Sequence, residues 1–183
     1  LDGLARLAAD PGTDVIVLIS KPPSEVVAGL ILQAAATAGK PVVVNFLGGD
    51  AMRVEAAGGV PAGTFEAAAA VAVALSRGQD VPADAGVDDV HLDPELQDAA
   101  TAAATGLDDG RVMVRGLYSG GSLAGEAKLI LHSALGQGGA DTVSILDLGD
   151  DEYTVGRPHP MIDPRLRTEM LHEALMDPTT AVV

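Results

Sequence analysis

Val143-Ser144-Ile145-Leu146-Asp147-Leu148 runs straight into Gly149-Asp150-Asp151-Glu152-Tyr153-Thr154-Val155-Gly156-Arg157-Pro158-His159-Pro160-Met161-Ile162-Asp163-Pro164. The first six residues read as a strand. The next sixteen read as a long polar loop, and Leu166, Met170, Leu171, Ala174 and Leu175 then recur at helical spacing on one face. Strand, loop and helix in that order belong to an α/β sheet, whose strands carry ligands at their carboxyl ends. Asp163-Pro164 marks the helix start, since Asp caps free N–H groups and Pro at the first helical position gives up no hydrogen bond. The loop therefore presents Arg157 and His159 near a helix N-terminus, where N–H groups and the helix dipole favour an anion.

Outward from that stretch, the pattern repeats. Leu4, Leu7 and Ala8 suggest a helix tail, Asp10-Pro11-Gly12-Thr13 a turn, and Val15–Ile19 a strand buried on both faces. A helix is expected from Ser24 to Ala38, with Val26, Val27, Leu30, Ile31 and Ala34 inward and Gly39 closing it. The strand Val42–Leu47, a glycine-containing segment and a helix capped by Thr64 follow, with Phe65, Ala68, Ala69, Ala72 and Leu75 inward. After Arg111 come a strand with Val112, Met113, Val114 and Leu117, the turn Ser119-Gly120-Gly121-Ser122, and a helix from Leu123 to Leu135. The last residues, Asp177-Pro178-x-Thr180-x-Val182, match Asp10-Pro11-x-Thr13-x-Val15. Two homologous α/β units are expected, the first cut at its front and the second at its back.

These signals divide the chain into residues 1–78, an acidic linker 79–110 with a short helix begun by Asp93-Pro94, and residues 111–183. Four aromatic residues among 183 leave a core of Val, Leu, Ile and Ala, as packed helices and parallel sheet require. A formal charge of -15 disfavours nucleic-acid and anionic-membrane partners. Cysteine is absent, which removes thiolate nucleophiles and disulfides. Without a leader-like segment or a long apolar run, the expected location is cytoplasmic.

Three strand-to-helix junctions qualify as phosphate sites. Lys21-Pro22-Pro23-Ser24 offers a charge and a hydroxyl, while Ser119, Gly120, Gly121 and Ser122 allow close backbone approach. The third is the loop, where Arg157 supplies a planar fork for carboxylate or phosphate and His159 donates, accepts or carries a proton. Arg157 and His159 are the candidate catalytic residues; Lys21, Ser24, Ser119, Gly120, Gly121, Ser122 and Asp163 are the candidate substrate or phosphate ligands. Asp150, Asp151 and Glu152 offer oxygens to Mg2+ but also suit a solvated acidic turn. His91, His132 and His172 read as surface or structural residues.

Leu117–Leu123, Leu146–Pro164 and Val17–Ser24 together resemble the FdrA proteins of the succinyl-CoA synthetase-like superfamily. The resemblance implies two flavodoxin-like units, the first similar to the second domain of the synthetase α subunit and the later one to the carboxy-terminal domain of the β subunit. It also implies a CoA-binding Rossmann-type domain outside this chain. The synthetase points two helix N-termini at one phosphohistidine, and the matching helix starts would be Pro23-Ser24-Glu25 and Asp163-Pro164. Gly48 to Gly63, where the synthetase carries that histidine, holds none here. The resemblance therefore implies an acyl or carbamoyl phosphate substrate, oxamate carbamoyl transfer in purine (allantoin) breakdown, and companion subunits or a homo-oligomer. Acyl-CoA synthetase or succinate-CoA ligase activity, or a noncatalytic assembly role, is the alternative.

Overall fold

The computed structural model describes residues 1–81 and 93–183. His91 and the middle of the acidic linker lie outside the described residues. The chain divides into two compact α/β units, Leu1–Asp89 and Val90–Val183.

The first unit runs α1 (Asp2–Ala9), β1 (Ile16–Ser20), α2 (Glu25–Ala36), β2 (Val42–Phe46), α3 (Ala51–Ala56), β3 (Val60–Pro61) and α4 (Phe65–Ser76). Its strands are parallel in the order β1-β2-β3. The central strand β2 separates two cores by its own alternation. Val42 and Val44 pack with Leu4, Ile16, Leu32 and Val54, whereas Val43 faces the other way onto Ala62, Ala68 and Val71. Each fully buried valine contributes about 1.5 to 3 kcal/mol.

Two inward stripes differ from the sequence expectation. In α2 the buried residues are Ala28, Leu32 and Ala35, and Val26, Val27 and Leu30 are exposed. In α4 they are Ala68, Val71 and Ala74. Both helices are apolar nearly all round, so periodicity does not select a face, and the small alanines go where backbone must approach the sheet. The strand β1 is also not buried on both faces: it is an edge, with Val17 and Ile19 exposed at 40% and 48%.

The second unit runs α5 (Pro94–Ala104), β4 (Met113–Tyr118), α6 (Gly121–Gly139), a 3-10 turn (Ala140–Thr142), β5 (Val143–Asp147), α7 (Asp151–Thr154), α8 (Arg165–Met176) and β6 (Thr180–Val182). Asp93 caps α5 through Glu95 N–H, with Pro94 opening the helix. The parallel strands lie in the order β5-β4-β6. The connection from β4 through α6 to β5 and the one from β5 through α8 back past β4 to β6 run in opposite directions along the sheet, and right-handed crossovers then place α6 and α8 on opposite faces. α6 begins at Gly121, earlier than expected, and Gly136 interrupts it at φ 62°. The expected inward face, Leu123, Ala127, Ile130, Leu131 and Ala134, is displaced at its start, for Ala124 is buried while Leu123 is 57% exposed.

The repeated Asp-Pro turn has one geometry in both units. Asp10 ends α1 and Asp177 ends α8, each in extended conformation. Thr13 N–H donates to Asp10 O, and Thr180 N–H to Asp177 O, both at 3.1 Å. Each carboxylate also accepts a hydrogen bond from the backbone N–H two residues on, Gly12 at 3.1 Å and Thr179 at 2.8 Å. Hydrogen bonding holds both carboxyls below the usual range, chiefly through Thr13 for Asp10 and Thr179 for Asp177.

Candidate functional site

In the second unit β4 and β5 end side by side. Tyr118 pairs with Asp147, and Leu148 N–H donates to Tyr118 O at 2.8 Å. The polypeptide therefore leaves the sheet at two adjacent points, one leading to α6 and the other into the long loop.

The exit from β4 is short. Ser119 and Gly120 lead into α6, whose N-terminal cap is Gly120 with no side-chain hydrogen bond. The first N–H groups of α6 thus lack the side-chain acceptor that Ser, Thr or Asp normally supplies there. Beside them, the Ser119 hydroxyl oxygen is buried and has no hydrogen-bond partner. Leaving such a hydroxyl unpaired costs about 1 to 3 kcal/mol. Nothing lies within 4 Å of where a Gly120 side chain would start, so the approach to this helix end is open. Ser122 is exposed one turn further along.

The exit from β5 is long and internally bonded. Gly149 N–H donates to Asp147 Oδ1 at 3.0 Å, and Asp150 caps the single turn of α7. Gly156 then reverses the chain at φ 74°, a backbone conformation that favours glycine. Ile162 N–H and Asp163 N–H both donate to His159 O, at 2.8 and 3.0 Å, which closes the loop into a turn over buried Pro160. Within that turn Met161 N–H donates to His159 Nδ1 at 3.2 Å. The other side of the imidazole packs on Gly149: a Cβ there would meet His159 Nε2 at 2.7 Å and Asp147 Oδ1 at 3.1 Å.

Arg157 does not share the Gly149 contact of His159. It is exposed and lines a shallow depression with Tyr153, Asp163, Arg165, Leu166 and Glu169, of which His159 is not a part. Among the described residues no carboxylate forms an ion pair with it. Asp163 caps α8 as expected, accepting from Arg165 N–H at 3.1 Å, while Pro164 already has helical angles. The same carboxylate holds the Arg165 guanidinium, and these bonds pull its pKa down to about 2, the side chain contributing more than the N–H. The mouth of α8 is thereby filled by a carboxylate of the chain itself.

In the first unit Lys21 is exposed beyond β1, and the Ser24 hydroxyl accepts from Val27 N–H at 3.4 Å as the cap of α2. The candidate residues therefore separate into Lys21 and Ser24 in one unit, and Ser119, Gly120, Gly121, Ser122, Arg157, His159 and Asp163 in the other. The acidic triplet does not assemble a metal site. Asp150 is spent as a cap, and among the described residues no group of three or more His, Asp or Glu side chains is placed to hold a metal ion. Sequence reasoning passed over Asp147 and Gly149, although an aspartate near the end of an apolar strand was a visible signal.

Among the described residues no helix is long and apolar enough to cross a membrane. Residues 117–183 match the family model described as CoA-ligase. The whole chain aligns at 34% identity over 201 positions with the uncharacterized protein YahF of Escherichia coli (strain K12), and covers 37% of that protein's length. The matched segment contains β5, the long loop, α8 and the turn at the start of α6. From Leu117 onward, then, this chain is similar to the CoA-ligases, the grouping of succinyl-CoA synthetase-like proteins.

Proposed function

We propose that the second unit binds the phosphate oxygens of an acyl or carbamoyl phosphate at the start of α6. The observation that carries this reading is the buried, unpartnered Ser119 hydroxyl beside a helix start that no side chain caps. Backbone N–H groups there would hold the anion and stabilise charge that develops as a phosphate ester or anhydride breaks. His159 would serve as hydrogen-bond donor or acid to the same oxygens. Arg157, in its own depression, would take a carboxylate of the second substrate.

The resemblance to FdrA proteins favours oxamate carbamoyl transfer as the specific reaction. The oxamate nitrogen would attack the carbamoyl carbon, the bond from that carbon to phosphate oxygen would break, and phosphate would leave at the α6 end, taking up the proton that the nitrogen loses. The CoA-ligase match favours acyl-CoA formation from the same anion site as the competing version. In the acyl-CoA version CoA would be held outside the two units; in either version companion subunits or a homo-oligomer would complete the enzyme, and the protein would be cytoplasmic.

The test is calorimetry with inorganic phosphate, acetyl phosphate and carbamoyl phosphate on this chain and on a longer parent protein, with Ser119→Ala alongside. Expected is binding that Ser119→Ala weakens about tenfold, as a hydrogen bond to a charged group would. No binding to either protein, or equal binding by the variant, would sink the proposal.

A further inference from the structure

We infer that His159 acts as a hydrogen-bond donor through Nε2, its proton confined to that nitrogen by the backbone N–H of Met161, so that it is neither a nucleophile nor a phosphoryl carrier. Met161 N–H can donate only to a nitrogen that keeps its lone pair, and the nitrogen it meets is Nδ1. A neutral imidazole has one proton, which must then sit on Nε2. A histidine that accepts a phosphoryl group through Nε2 needs the opposite form, with Nε2 bare and the proton on Nδ1. That form would set two N–H groups against each other inside the turn.

The turn is built to keep this arrangement. Ile162 N–H and Asp163 N–H both close on His159 O, so Met161 N–H cannot rotate away without breaking two further bonds. Nε2 meanwhile lies against Gly149, just beyond β5, with the Asp147 carboxylate beside the same glycine. Asp147 pairs across the sheet with Tyr118, and Ser119 follows directly at the start of α6. Paired strands lie about 4.8 Å apart, so the loop that carries His159 and the start of α6 leave the sheet from neighbouring strand ends. The donor role toward a bound anion rests on the function proposed above; the tautomer does not.

Long-range proton–nitrogen NMR of the imidazoles, on the ligand-free 15N-labelled chain with His159→Gln for assignment, tests the tautomer. Expected is a protonated Nε2 and an unprotonated Nδ1; the reverse pattern overturns the inference. Two variants then test the role, because the Gln amide N–H falls near the position of Nε2–H and the Asn amide near Nδ1. His159→Gln should keep phosphate affinity within a few-fold, and His159→Asn should lose about tenfold. Equal loss in both overturns the donor role. Acid-labile phosphate on His159 after incubation with acetyl phosphate or ATP would overturn it as well. Should phosphate bind neither the native chain nor the variants, the proposed function fails while the NMR pattern still judges the tautomer.

Discussion

His159 and Gly149 are packed so that a Cβ added to Gly149 would stand 2.7 Å from the imidazole Nε2. Gly149→Ala must therefore push the ring away or strain the loop, a small-to-large change that costs about 1 to 3 kcal/mol. The cost should shrink in a His159→Ala background, because the obstructing ring is gone. A double-mutant cycle by chemical denaturation checks this, and additive effects would show that the two residues are not coupled.

Asp147 places a carboxylate beside Gly149 and the His159 ring. If an anion binds there, Asp147→Asn should strengthen phosphate binding a few-fold at low salt, since one repulsive partner is removed while Asn can still accept from Gly149 N–H. Weaker binding in this variant would place the anion elsewhere.

Ser119→Ala has an unusual expected signature. Because the hydroxyl is buried without a partner, its removal should leave stability unchanged or raise it, by up to about 1 kcal/mol, even as anion affinity falls. A loss of stability would mean that the hydroxyl has a structural bond.

Asp163 ties pH to the start of α8. Its folded-state pKa, about 2, lies below that of an unfolded aspartate, so its contribution is complete above the unfolded value and disappears as pH falls through 2. Asp163→Asn should therefore lower the melting temperature near neutral pH and converge with the native protein only as pH falls through 2. A difference that persists below that pH would mean the carboxylate charge is not what matters.

Asp177 anchors the second unit by pairing with the half-buried Arg115, which also donates from Nε to the Thr180 hydroxyl at 2.9 Å. Asp177→Ala should destabilise this unit, because it removes the pair with Arg115 and the carboxylate that accepts from Thr179 N–H. Native-state hydrogen exchange should show the change in β4 and β6 but not in β1 to β3. Loss spread evenly over both units would contradict so local an anchor.

The sequence by itself determined the two α/β units, the parallel strands, the caps at Asp93, Thr64 and Asp163, and the recurring Asp-Pro turn. These are local: each depends on residues within a few positions, whose hydrogen bonds close within one turn. Periodicity failed in α2 and α4 because apolar residues surround both helices, and only contact with a sheet decides which of them are covered. It failed for β1 because an apolar run cannot tell an edge strand from a central one. The site divides in the same way. Ser119, Gly120 and His159 were legible as residue types in suggestive places. Only the tertiary structure set His159 against Gly149 and Asp147, turned Arg157 into a separate depression and filled the mouth of α8 with Asp163. Those outcomes depend on how a sixteen-residue loop folds back on the end of its own strand, through contacts that local preference does not encode.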